Sequence, residues 1–130
     1  IRTADWFGHT TIVCSSDTVD VYNPKVIAAT MGSFLRVHVV YLEIEPFMKR
    51  ASELRIPILG AVLDGHSLYD ASVPRGHMLV MGSESHGLRH RVSEYVSHPI
   101  SIPKIGGAES LNVAIATGII MSHTIKKSGE

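Results

Sequence analysis

The chain has 130 residues, 45% of them hydrophobic, enough for one compact domain with a core and too few for two. Twelve basic residues balance twelve acidic ones, so the composition lacks the basic excess of a dedicated nucleic-acid-binding domain. No apolar run approaches the ~18 residues of a membrane span, and the single Cys14 has no intrachain partner; the expectation is a soluble, cytoplasmic protein with no membrane partner and an inert buried thiol.

In chain order, Ile1 already lies within an amphipathic pattern, so the sequence reads as a domain whose first strand precedes it. Thr11 to Ser15 forms a β-rich apolar run, and Pro24-Lys25 opens a helix with proline in its first turn. Val37 to Leu42 reads as a strand, Glu45 to Leu54 as a helix charged on one side, and Ile58 to Leu63 as a strand. Gly65 to Gly76, with Asp64-Gly65 and Pro74, reads as a loop. His77 to Met81 and Pro99 to Ile102 are further strands, with helices over Leu88 to Tyr95 and Ser110 to Lys127. This alternation predicts an α/β domain with a mainly parallel sheet and helices on both faces, whose ligands sit beyond the carboxyl ends of the strands.

Two glycine-bearing connections stand out. Strand His77 to Met81 runs into Gly82-Ser83-Glu84-Ser85-His86-Gly87 and then into a helical pattern; Gly82 and Gly87 permit positive φ and close approach of a ligand, and Glu84 adds a carboxylate. The simpler alternative is glycine punctuation of a βα turn. The second connection is Ile102-Pro103-Lys104-Ile105-Gly106-Gly107-Ala108-Glu109-Ser110-Leu111-Asn112-Val113. Here Ser110 is expected to cap the last helix, with Asn112 in its first turn, where free N–H groups favour a polar ligand.

Together these loops resemble the second and third motifs of the SpoU, or TrmH-like, branch of the SPOUT RNA methyltransferases: Leu79-Val80-Met81-Gly82-Ser83-Glu84-Ser85-His86-Gly87-Leu88, and Ile102-Pro103 followed by Ser110-Leu111-Asn112-Val113-Ala114-Ile115-Ala116. Ile1-Arg2-Thr3-Ala4-Asp5-Trp6-Phe7-Gly8 resembles the end of the first motif, with Arg2 as its arginine; the asparagine and glycine of that motif would lie before Ile1. Asp17 to Gly32 is also similar to the family, which extends the likeness over nearly the whole chain.

The resemblance implies a carboxyl-terminal deep trefoil knot, a fold that no periodicity could suggest. It also implies the cofactor S-adenosyl-L-methionine (AdoMet), held by Ala61, Val62, Met81, Gly82, Ser83, Glu84, Gly87, Ile102, Ser110 and Leu111, with methyl transfer to a ribose 2′-hydroxyl of ribosomal or transfer RNA. By the same resemblance the catalytic group comprises Arg2, Glu84, Ser110 and Asn112, and the partners are an RNA substrate and a second copy packed near the knot, Arg2 of one working beside the cofactor of the other. A guanidinium with a pKa above ~12 is a poor base, which favours Arg2 as a phosphate-positioning and oxyanion-stabilising group. The apolar face of Leu111, Ile115, Ile119 and Met121 suits either the core or an interface. Arg89, His90, Arg91 and Lys104 flank the expected pocket and suit either RNA phosphates or a solvated face.

Eight histidines raise the question of a metal, but only His86 and His90 have i,i+4 spacing with no further ligand, so no metal is expected. Two other functions compete. Ser85 in Ser83-Glu84-Ser85-His86-Gly87 mimics a hydrolase nucleophile, although no aspartate follows Asp70. A non-catalytic AdoMet- or RNA-binding module of the same fold is the other alternative.

Overall fold

The computed structural model describes residues 1–128. Its elements are helix α1 (Arg2–Trp6), strand β1 (Thr11–Ser15), helix α2 (Pro24–Thr30), strand β2 (His38–Leu42), helix α3 (Ile44–Glu53), strands β3 (Ile58–Ser67) and β4 (Met78–Val80), helix α4 (His90–Ser93), strand β5 (His98–Ser101) and helix α5 (Val113–Ser128). Each strand expected from the sequence is present, and every ladder is parallel. The chain forms a mixed α/β fold in two compact units that divide within α3, after Phe47. Among the described residues no helix is long and apolar enough to cross a membrane.

In the first unit, the β-branched run Thr11-Ile12-Val13 suits the pleat of β1, which pairs with β2 in the register Thr11↔His38 to Ser15↔Leu42. The intervening α2 starts where expected: Asn23 Oδ1 accepts the Lys25 amide at 2.9 Å and Pro24 occupies the first turn. It stops at Met31, which is left-handed at φ 49°, and Gly32 follows at φ 87°. The Tyr41 hydroxyl of β2 accepts from the Val21 amide and donates to the Val19 carbonyl, both at 2.8 Å, and so pins the loop after β1. Helix α1, which carries Arg2, is tied to a 3-10 turn at Ser33–Leu35, where Arg36 donates through Nε and Nη2 to Asp5 Oδ2 at 2.9 and 2.6 Å.

The second unit holds a three-stranded sheet in the order β4-β3-β5. Its core joins Leu59 of β3, Leu68, Ile100 of β5 and Ile120 of α5, all essentially fully buried, with Ala61, Leu79, Met81, Ile102 and Ile119 packed around them. Burial of four such side chains contributes on the order of 1.5–3 kcal/mol each, which fixes α5 against the sheet.

Three boundaries depart from the sequence reading. Strand β3 extends to Ser67, so Gly65 belongs to a strand and the expected loop begins later. Both Ala61 and His66 pair with Ile100, so residues 62–65 bulge out of the ladder. A Cβ on Gly65 would lie 2.6–2.8 Å from the Ile100 backbone; the glycine is there for strand approach. Helix α4 is a single turn instead of Leu88 to Tyr95, because Arg89 is extended at φ −62°, ψ 143° and Leu88 folds over Gly60. Helix α5 starts at Val113, and its cap is Asn112 in place of Ser110.

Candidate functional site: two loops joined by Glu84 and Asn112

The strands of the second unit all run in one direction, so the segments after β4 and β5 leave the sheet at its carboxyl end, on either side of β3, where ligand-binding loops of parallel sheets lie. The first is the Gly82–Gly87 loop. It closes on itself through an antiparallel bridge, in which the Ser83 amide donates to the Gly87 carbonyl at 3.1 Å and the Gly87 amide returns to the Ser83 carbonyl at 2.9 Å. The tip is Glu84, Ser85 and His86, all exposed.

The two glycines of this loop serve different ends. Gly87 adopts φ 65°, which glycine allows without strain. Gly82 does not have positive φ, contrary to the sequence reading; a Cβ there would lie 2.0 Å from the Gly87 carbonyl carbon. Close approach of the loop to itself is the structural reason for Gly82.

Residues 103–112 form the second loop, exposed throughout, with Ile105 wholly in solvent. It ends at Asn112, whose Oδ1 accepts the Ala114 and Ile115 amides at 2.9 and 3.2 Å. Asn112 Nδ2 in turn donates to Glu84 Oε1 at 2.7 Å, and the Val113 amide reaches the same oxygen at 3.3 Å. A carboxylate at a helix amino terminus is favoured by the free N–H groups and the helix dipole. Glu84 therefore ties the first loop to the start of α5.

Of the residues singled out in the sequence, the second unit gathers Met81 to Gly87 at the end of β4, Ile102 at the end of β5, Ser110, Leu111 and Asn112 before α5, and Ala61 and Val62 at the bulge of β3. Ala61, Met81 and Ile102 are half-buried and packed on the core. Ser110 and Leu111 lie on the exposed loop, Leu111 at 46% exposure. Arg2 belongs to the first unit, at the start of α1. There, Asp5 one turn later has its carboxyl held below the ordinary carboxylate range, chiefly by the Arg36 hydrogen bond and then by Ser33. Burial pushes the Cys14 thiol up, as expected of an unreactive cysteine.

The face expected from Leu111, Ile115, Ile119 and Met121 divides. Ile119 packs on the core beside Ile120, whereas Ile115 is 57% exposed. His90 Nδ1 lies 3.3 Å from Glu94 Oε1, one turn on. Among the described residues no three His, Cys, Asp or Glu side chains converge.

The hydrolase alternative fails on geometry. A nucleophile elbow places its serine on a strained turn, yet among the described residues only Met31 and Arg55 are non-glycine residues with positive φ. Ser85 Oγ instead lies 2.6 Å from Nδ1 of its own neighbour His86. The sequence reading missed this contact, because adjacent side chains point together only when a loop folds them so. It also missed the Glu84–Asn112 link, which joins residues 28 positions apart.

Known proteins resemble the chain over nearly its whole length. Residues 1–122 match the SpoU rRNA Methylase family. The 23S rRNA (guanosine-2′-O-)-methyltransferase RlmB of Neisseria meningitidis serogroup B is 29% identical over 126 residues, 95% of this chain and 50% of that protein. A TrmH-family protein from Porphyromonas gingivalis superposes with a TM-score of 0.89 at 40% identity, covering 95% of this chain and 51% of its own. The SpoU methyltransferase AviRb from Streptomyces viridochromogenes, solved in complex with the cofactor AdoMet, gives 0.86 at 26% identity over 96% of this chain and 52% of its own. The chain thus spans about half the length of the relatives it matches. With the family matched from residue 1 to residue 122, the chain belongs to the SpoU rRNA methylases.

Proposed function

We propose that the chain is the catalytic domain of an enzyme that transfers the methyl group of AdoMet to a ribose 2′-hydroxyl of ribosomal or transfer RNA. The observation that carries this reading is the Glu84–Asn112 link, which couples the two family motifs into one site in a SpoU chain. Support comes from the RlmB relative, named for 2′-O-methylation of 23S rRNA, and from AviRb, solved with AdoMet.

The residues present fit AdoMet. Its flat adenine needs apolar walls and backbone donors, and the half-buried Ala61, Met81 and Ile102 offer such walls beside the exposed 103–112 backbone. Val62, Gly82, Ser83, Gly87, Ser110 and Leu111 complete the cofactor set in this reading. Bound there, the cofactor supplies an electrophilic methyl group on a sulfonium.

The chain's own contribution is alignment and charge. In-line displacement requires the 2′-oxygen, methyl and sulfur to be collinear, so rigid loops carry much of the rate. Glu84 and Asn112 supply that rigidity: both Asn112 amide atoms and Glu84 Oε1 are engaged with each other or with α5. They act as positioning residues. Ser110 contacts cofactor or ribose, and Arg2 holds an RNA phosphate and stabilises charge on the attacking oxygen.

Two finer features belong to the same reading. The carboxyl-terminal part forms the trefoil knot of the family; the passage of β3 past Ile100 at both Ala61 and His66, with the Leu68 amide donating to the Ser101 carbonyl at 2.8 Å, supports such a crossing. The chain pairs with a second copy through α5 and the loop before it, a reading supported by the exposed Ile115 of the helix and Leu111 of the loop.

Methyl transfer from labelled AdoMet to total ribosomal and transfer RNA tests the proposal, with the full-length protein as catalyst. Label in RNA that survives as 2′-O-methylnucleoside after digestion is the expected result. AdoMet binding with no labelled RNA would instead establish a non-catalytic module.

A further inference from the structure

Helix α1 presents a side chain that the reading above leaves unused. Trp6 is the single tryptophan of the 130 residues and is 84% exposed. One exposed apolar residue needs no explanation by itself. What distinguishes Trp6 is where α1 puts it. Successive residues of an α-helix turn by about 100°, so Arg2 and Trp6 lie about 40° apart around the axis, with Ala4 on the opposite side. Ala4 is buried and both Arg2 and Trp6 are exposed, so one outward face of α1 carries the guanidinium and the indole together. The Asp5 amide donates to the Ile1 carbonyl at 2.9 Å and the Phe7 amide to the Thr3 carbonyl at 3.2 Å, which holds the turn that sets this spacing.

Neither side chain is engaged within the chain. Among the described residues the Arg2 guanidinium has no hydrogen-bond or ion-pair partner, and the Trp6 ring meets no other aromatic ring or cation. The one carboxylate of the helix, Asp5, accepts instead from Arg36 Nε and Nη2 at 2.9 and 2.6 Å. Arg2 and Arg36 thus stand against a single carboxylate on α1 and the turn tied to it, in a chain whose formal net charge is zero. A flat indole about 6 Å along the helix axis from a free guanidinium combines the two elements that hold unpaired RNA. The cation takes a phosphate and the aromatic face takes a base.

We infer that Trp6 is a stacking platform for a base of single-stranded RNA, next to the phosphate that Arg2 holds; the inference rests on the methyltransferase reading. A ribose 2′-hydroxyl is common to every nucleotide of RNA, so selection must come from the surroundings of the ribose. A base turned out of its stack and laid on the indole supplies such selection wherever the strand is unpaired. In a duplex both faces of each base are covered by its neighbours, and Trp6 finds no free face. The Arg2–Trp6 pair therefore favours loops, bulges and ends over duplex. It discriminates little among the four bases, because each has a π face.

The test is the tryptophan fluorescence of the full-length protein, titrated with an oligoribonucleotide that is either unstructured or annealed to its complement, with Trp6→Phe as the background. Quenching of the Trp6 signal by the single strand and not by the duplex is the expected result. Trp6→Ala should weaken single-strand binding, and methyl transfer to limiting ribosomal or transfer RNA, by about 5- to 150-fold. Its affinity for S-adenosyl-L-homocysteine should remain within about 2-fold. The salt dependence of its RNA binding should be unchanged, whereas Arg2→Ala should lower that slope by about 1. Trp6→Phe should keep most of the affinity and Trp6→Leu should not, because leucine has apolar bulk without a flat face. Equal quenching by duplex, full rescue by leucine, or unchanged RNA affinity in Trp6→Ala overturns the inference, while methyl transfer by the wild type leaves the methyltransferase reading intact. Conversion of a dimer to a monomer by Trp6→Ala also overturns it, by assigning this face of α1 to a second copy. No transfer by the wild type would overturn the methyltransferase reading itself, whatever the fluorescence.

Discussion

Asn112 Nδ2 donates to Glu84 Oε1 at 2.7 Å while Asn112 Oδ1 caps α5, so one amide joins the loop after β4 to the helix after β5. A cap of this kind contributes about 1 kcal/mol, and an exposed charged contact adds a few tenths to ~1 kcal/mol. Asn112→Ala should therefore lower the unfolding free energy by about 1–2 kcal/mol, and Glu84→Ala by about 0.5–1 kcal/mol. Urea unfolding of both single variants and the double variant checks the coupling, because neighbours in one network are non-additive by about 0.5 kcal/mol or more. Strict additivity would show that the two side chains act independently.

The glycines of the two loops should respond in opposite ways. A Cβ at Gly82 would sit 2.0 Å from the Gly87 carbonyl carbon, whereas one at Gly106 meets nothing within 4 Å. Gly82→Ala is expected to cost about 3 kcal/mol, at the upper end of overpacking, because backbone must move. Gly87→Ala, at φ 65°, should cost about 1–2 kcal/mol. Gly106→Ala should stay within about 0.5 kcal/mol. Thermal unfolding of the three variants gives the order; a Gly82→Ala protein as stable as Gly106→Ala would mean that the loop is more open than the Ser83–Gly87 bridge implies.

Much of this was legible in the sequence because it is local. The five strands followed from short apolar runs and the start of α2 from Pro24-Lys25; the structure repeats β1 and the start of α2 to the residue, whereas β3 runs on to Ser67. Helix α4 failed because its periodicity includes Leu88, which tertiary packing over Gly60 takes for another purpose. The cap of α5 failed for a related reason: Ser110 and Asn112 both carry cap chemistry, and Glu84, 28 residues away, accompanies only Asn112. The motifs identified the loops, but the hydrogen bonds that join them depend on a sheet order that brings β4 and β5 to either side of β3.

Acid should loosen the first unit at α1. The Asp5 carboxyl titrates below its ordinary value because Arg36 donates to it, so the contact stabilises fully above the unfolded carboxylate pKa of about 3.9. That stability is lost as pH falls through the lowered folded value. Asp5→Asn should therefore show a deficit in urea midpoint near neutrality that shrinks below about pH 4. The contact is exposed, so high salt should reduce the deficit as well. A deficit independent of pH would assign the effect to packing instead of charge.

Arg2 is the residue on which the proposed chemistry depends most outside the two loops. As a group that grips phosphate and stabilises an attacking oxygen, it contributes in the transition state and little to cofactor binding. Arg2→Ala should thus lower methyl transfer to ribosomal or transfer RNA by about 10²–10³-fold. S-adenosyl-L-homocysteine affinity, read by calorimetry, should stay unchanged. Arg2→Lys keeps the charge but loses the planar fork, so it should recover only a minor part of the rate. If Arg2→Lys restored full turnover, bidentate phosphate recognition would be the wrong role and a simple point charge the right one.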